Sequence, residues 1–120
     1  MTAHTQTVLR ALLGKTPDGS AIPGALEDGV YGLELSQVTG LATGTLFPLL
    51  ERLIQSGWVE RYWEGDEAAE AAGRTRRRYY RLSASGAASA RLALAEAMAS
   101  GKAAPYTPRR RATVSHGGAA

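Results

Sequence analysis

Leu46, Leu49, Leu50, Leu53 and Ile54 recur at the i, i+3, i+4, i+7, i+8 spacing of a single helical face. Gly57 stops that run. Trp58, Val59, Tyr62 and Trp63 follow, with the aromatic and β-branched content of a strand. A basic segment, GRTRRRYYRLSASG at 73–86, then returns and carries Ser83, placed to cap another helix. An amphipathic helix, a hairpin and a basic return strand, in that order, suit a device that holds a helix against DNA.

The helix is expected over 43–56, with Thr45, Pro48, Glu51, Arg52 and Gln55 on its water-facing side. Proline lacks the amide that a helix interior uses, so Pro48 is tolerable only near the start. Capping by Thr43 puts it just beyond the free first turn, and capping by Thr45 puts it inside; the sequence allows both. Before this helix, Thr39-Gly40 ends a shorter one over 30–38, capped by Asp28, with Val30, Leu33 and Val38 inward and Leu35 on a flank. Two short helices joined by a glycine-containing turn form a helix-turn-helix pattern.

Val8, Leu9, Leu12 and Leu13 mark a first helix over 3–14. Two prolines and three glycines make 15–29 a loop, with Ile22 and Leu26 able to pin it to the core. The hairpin strands fall at 58–64 and 76–82, and the acidic stretch 65–73 reads as a mobile tip. An alanine-rich helix follows over 84–100, with Leu92, Leu94 and Met98 as its large apolar residues. The expected fold class is mainly α with a small β-hairpin, in the order α-α-α-β-β-α. One domain, 1–100, is expected to be followed by a basic, disordered tail, 101–120.

Charge is unevenly spread. Residues 1–70 carry four basic side chains against ten acidic ones, whereas 71–120 carry ten basic ones against Glu96 alone. A half so basic points to a polyanionic partner, or to a solubilising tail. The chain has no cysteine, which excludes disulfides and thiolate zinc sites and fits a reducing compartment such as the cytoplasm. No stretch reaches the ~18 apolar residues of a membrane span, and the N-terminus lacks the basic region of a signal peptide.

Nucleic-acid binding is the strongest chemical signal. Thr43, Gly44 and Thr45 open the 43–56 helix, where small residues let backbone donors approach a phosphate. Thr45, Pro48 and Arg52 form a row fit for a major-groove floor, where Thr meets a thymine methyl and Arg bonds guanine. The bland alternative pairs Arg52 with Glu51 or Gln55. Arg74, Arg76 and Arg77, nearest the tip, are the wing's candidates for phosphate, while Arg78 and Arg81 are expected to pair with Glu60 or Glu64. Arg109, Arg110 and Arg111 form a further basic cluster that suits either DNA or plain solvation. Trp58, Tyr62, Trp63, Tyr79 and Tyr80 gather on the hairpin, where they could stack on single-stranded bases, form a small-molecule pocket or pack across the strands onto the core; Trp58 and Tyr80 are expected to pack inward, with Tyr31 and Tyr62 open to either fate. His4 and His116 lie near the two ends, and Glu67 and Glu70 sit on the tip. No acid–base pair or metal set rests on a rigid element, so neither an enzyme nor a cofactor is expected.

YGLEL at 31–35, TGTLFPLLERL at 43–53, SGWVERYWE at 56–64 and the 73–86 segment together resemble the PadR family of winged helix-turn-helix transcriptional regulators. The resemblance covers about 3–99. It implies a homodimer joined through the C-terminal helix, about 83–100, as in the small subfamily. It also implies a repressor of a near-palindromic operator, and release by a small-molecule effector. Thr43, Thr45 and Pro48 would enter the major groove, with the wing arginines on the backbone. Members usually carry Tyr where this chain has Phe47, and that hydroxyl commonly serves a phosphate contact. The 15–29 loop is longer than usual, and the last helix lacks the aromatics that sandwich a planar ligand in some members. Alternative readings are a winged-helix protein-interaction module, or a sensor whose dimer-interface pocket controls DNA binding.

Overall fold

The computed structural model describes residues 1–101, so the expectations for the tail and its three arginines lie outside the described residues. Helix α1 spans Ala3–Leu12 and buries Val8, Leu9, Ala11 and Leu12. Thr2 caps it, its Oγ1 accepting from the Thr5 amide at 3.2 Å. The segment expected as a bare loop is partly ordered. An isolated antiparallel bridge joins Lys15 to Ala21, and a one-turn helix, α2, covers Ala25–Asp28. Ile22 and Ala25 are buried and Leu26 packs at the core edge, which accounts for the length of the connection.

The second long helix starts later than expected. Val30–Tyr31 is a short strand, β1, and helix α3 follows over Gly32–Thr39 with Tyr31 at its N-cap. Asp28 therefore does not cap it. A β-branched and an aromatic residue beside a free strand edge pair there rather than coil. With Val30 held in the sheet, the helix turns Gly32, Leu35 and Thr39 inward. Leu35 is fully buried and Leu33 is 54% exposed, the reverse of the expectation.

Helix α4, Thr43–Gln55, buries Leu46, Leu49, Leu50 and Leu53 as the spacing predicts. Ala42 stands at its N-cap without a side-chain bond, so neither threonine caps it. Pro48 thus lies inside the helix and offers no amide to the Gly44 carbonyl.

Strands β2, Val59–Trp63, and β3, Arg78–Leu82, form the wing. The sheet is antiparallel in the order β1-β3-β2. Directly opposed residues share a face, and the register pairs Val59 with Leu82, Arg61 with Tyr80 and Trp63 with Arg78. That inner row starts in the core and runs toward the tip. The outer row pairs Glu60 with Arg81 and Tyr62 with Tyr79, with Tyr31 of β1 beyond. The tip is not a bare loop. Asp66–Ala71 forms helix α5, whose Ala69 is buried. Its alanines favour helix, and Asp66 and Glu67 in its first turn suit the helix dipole.

Helix α6 spans Ala84–Ala99. The Ser83 hydroxyl accepts from the Gly86 amide at 2.9 Å and donates to the Gly57 carbonyl at 2.8 Å, so one residue ties the start of α6 to the end of α4. Gly86 is required by contact. A Cβ there would lie 2.0 Å from the Trp58 carbonyl oxygen. Ala87, Ala90 and Ala97 are buried, whereas Leu92 and Met98 are 62% and 66% exposed.

Candidate nucleic-acid interface

Helix α4 lies against the inner face of the wing. Two contacts fix it there. The Phe47 ring stacks on Tyr80 with centroids 6.3 Å apart, and Glu51 bonds Arg61 at 3.0 Å. Gly32 makes room for the first contact, because a Cβ there would come within 3.0 Å of the Phe47 ring. Thr43, Gly44, Thr45, Phe47, Pro48 and Arg52 are all exposed, with Phe47 retaining 40%. Glu51 is the helix's one carboxylate, and it is engaged by Arg61. The Arg52 guanidinium consequently has no ion pair or hydrogen bond among the described residues, contrary to pairing with Glu51 or Gln55.

The wing arginines divide between two faces. Arg74 belongs to the outer side, where its guanidinium grips Glu64 through both Nη atoms, one at 2.8 Å. That carboxylate also accepts from the Arg77 amide at 3.3 Å. The Arg74 bonds, and after them the Arg77 amide, hold the Glu64 carboxyl below the usual carboxylate range. Arg77 covers the Tyr31 ring at 4.1 Å. Tyr31, Tyr79 and Tyr62 run across the outer face with centroids 6.0 and 5.7 Å apart. Arg81 closes the row, bonding Glu60 at 3.1 Å and lying 5.1 Å from the Tyr62 ring. The Tyr62 hydroxyl donates to the Asp28 carbonyl, and burial pushes its pKa up. Tyr31 and Tyr62 therefore serve packing.

Of the three expected wing residues, Arg76 alone is on the α4 side, over Trp63 at 5.4 Å and 3.3 Å from Asp66. Arg78 joins it, stacked on Trp63 at 4.1 Å, rather than pairing with an acid as expected. Arg81 does pair with Glu60. The sequence alone points to Trp63 as a strand aromatic and to Arg78 as an ion-pair partner, not to their stack. The signal for them was the alternation of Val59, Arg61 and Trp63, which makes the tryptophan share the face of a core valine.

No helix among the described residues is long and apolar enough to cross a membrane. None of the curated proteins compared matches the chain. In fold the chain is similar to smu.1704 from Streptococcus mutans UA159, with a TM-score of 0.52 and 20% identity over 82% of this chain and 88% of that one. Residues 11–92 match the family model described as the transcriptional regulator PadR-like family. With a winged helix-turn-helix built as above and the family model spanning most of the chain, the protein belongs to the PadR-like family of DNA-binding transcriptional regulators.

Proposed function

We propose that the protein is a homodimeric repressor that reads a near-palindromic operator with α4. The observation carrying this reading is the state of Arg52. It stands exposed in one row with Thr45 and Pro48, and the neighbouring carboxylate is already engaged by Arg61. An unpaired guanidinium on a groove-sized helix suits bidentate bonding to guanine, while Thr45 suits a thymine methyl. Thr43 and Gly44, exposed in the first turn, suit a phosphate at the positive end of the helix dipole. Wing arginines add backbone contacts.

Dimerisation is supported by α6, where Leu92 and Met98 face water beside small alanines that permit close helix approach. Residues 1–100 would act as one unit, with α6 as its dimer element. Two copies of α4 would then sit about one helical turn apart, roughly 34 Å, on successive major grooves. Selection of bound duplexes from a random pool tests the reading. The expected product is an inverted repeat with half-sites one turn apart, and recovery of unrelated sequences would contradict it. Sedimentation should give twice the chain mass for the wild type and a shift toward monomer for Leu92→Glu.

A further inference from the structure

We infer that the main-chain carbonyl of Gly44 reads the operator, accepting a hydrogen bond from an exocyclic amine, cytosine N4 or adenine N6, in the major groove. This rests on the DNA-binding reading above, and it gives α4 a base contact made by no side chain. Helix α4 holds the two residues that a helix accommodates least well, Gly44 and Pro48, one turn apart. Neither is explained inside the protein. Gly44 takes no positive φ, and a Cβ there would meet nothing within 4 Å. Pro48 is exposed. At about 100° per residue, Gly44 and Pro48 fall near the middle of the face opposite the buried Leu46, Leu49, Leu50 and Leu53. Thr45 and Arg52 flank them on one side, and Phe47, stacked on Tyr80, on the other.

Pro48 gives no amide to the Gly44 carbonyl, so that oxygen keeps bonding capacity that a mid-helix carbonyl ordinarily spends within the helix. The missing side chain of Gly44 lets a base edge come close to it. A carbonyl oxygen only accepts, so a phosphate, also an acceptor, is no partner for it. The donors on the major-groove edge are the amines of cytosine and adenine, whereas guanine and thymine present acceptors there. Each base pair carries one such amine, so the contact senses which strand bears it. It sets cytosine or adenine against guanine or thymine at one position of each half-site. The Arg52 guanidinium has donors alone, and the carbonyl supplies the acceptor it lacks. The Gly44 amide points toward the helix start and the carbonyl toward its end, so a phosphate on the first leaves the second available.

The test uses the full chain and the operator recovered by selection from a random pool. Each cytosine or adenine of one half-site is replaced in turn by a pyrimidinone or purine nucleotide that lacks the amine. One replacement should cost the wild type about three- to tenfold in affinity, the worth of one hydrogen bond, and involve a base that Arg52 does not contact. Pro48→Ala restores the amide and suits a helix better, so folding is not at risk. In that variant the loss at this position should disappear while losses elsewhere stay. In Arg52→Ala the loss at this position should remain. Equal losses for the wild type and Pro48→Ala at every position would overturn this inference and leave the DNA-binding reading standing. A wild type that enriches no sequence from the pool would overturn both.

Discussion

Phe47 stacks on Tyr80, with ring planes 24° apart, and so joins α4 to the central strand of the sheet. The position that lacks the hydroxyl usual in the family thus holds α4 against the wing. Removing the ring should loosen that joint. Phe47→Ala should lower stability by about 1–2 kcal/mol, less than a fully buried Phe→Ala because the ring is partly exposed. Phe47→Tyr keeps the stack and should change stability by less than about 0.5 kcal/mol. It should also tighten duplex binding, by up to about tenfold for one hydrogen bond to a charged group. Urea unfolding and gel shifts read the two effects separately. A Phe47→Ala variant as stable as the wild type would remove the joint.

Gly86→Ala should be among the most damaging single-methyl changes in the chain. The added Cβ would meet the Trp58 carbonyl at 2.0 Å, and backbone cannot swing aside as a side chain does. Either α6 or the start of β2 must shift, at a cost of about 2–3 kcal/mol. Thermal unfolding beside Gly44→Ala checks this, since a Cβ at Gly44 meets nothing within 4 Å. Equal melting temperatures would contradict it.

Ser83→Ala removes the cap that accepts from Gly86 and the bond to Gly57. A loss of about 1–2 kcal/mol is expected. Ser83→Asp restores the acceptor and loses the donor, so it should recover only part of the loss. Full recovery in a denaturant series would show that the bond to Gly57 contributes nothing.

Glu64 links the wing's stability to acid. Its carboxyl lies below the ordinary value of 4.5, chiefly through Arg74. A value lowered in the fold means stabilisation that is present above the pH where the unfolded side chain ionises. It is lost as pH falls through the folded value. The stability gap between wild type and Glu64→Gln should therefore be flat near neutrality and close on acidification below about 4.5. A gap that keeps its size into the acid range would assign the effect to packing instead.

Much of this architecture was legible in the chain. The leucine spacing of α4, the cap at Ser83 and the strand nature of β2 rest on local periodicity and side-chain chemistry, which survive into the fold. What escaped depends on partners distant in sequence. Val30 and Tyr31 read as helix until β3 offers an edge, and with Val30 in the sheet the inward face of α3 passes from Leu33 to Leu35. The acidic tip reads as solvated until Ala69 finds cover. Thr43 and Thr45 competed for a cap that Ala42 occupies without a side-chain bond. In the candidate interface, α4 emerged with its expected exposed row. The wing did not, because strand alternation groups arginines by face but only the register with β2 tells which face meets α4.

The central claim is that α4 reads bases through Arg52. Affinities of the wild type and Arg52→Ala for the selected operator and for a random duplex, at one salt concentration, test it most directly. Removing a bidentate guanine bond should weaken operator binding by about 1–3 kcal/mol and random binding far less, so the specificity ratio falls. An equal weakening on both duplexes would make Arg52 a backbone contact and contradict the account.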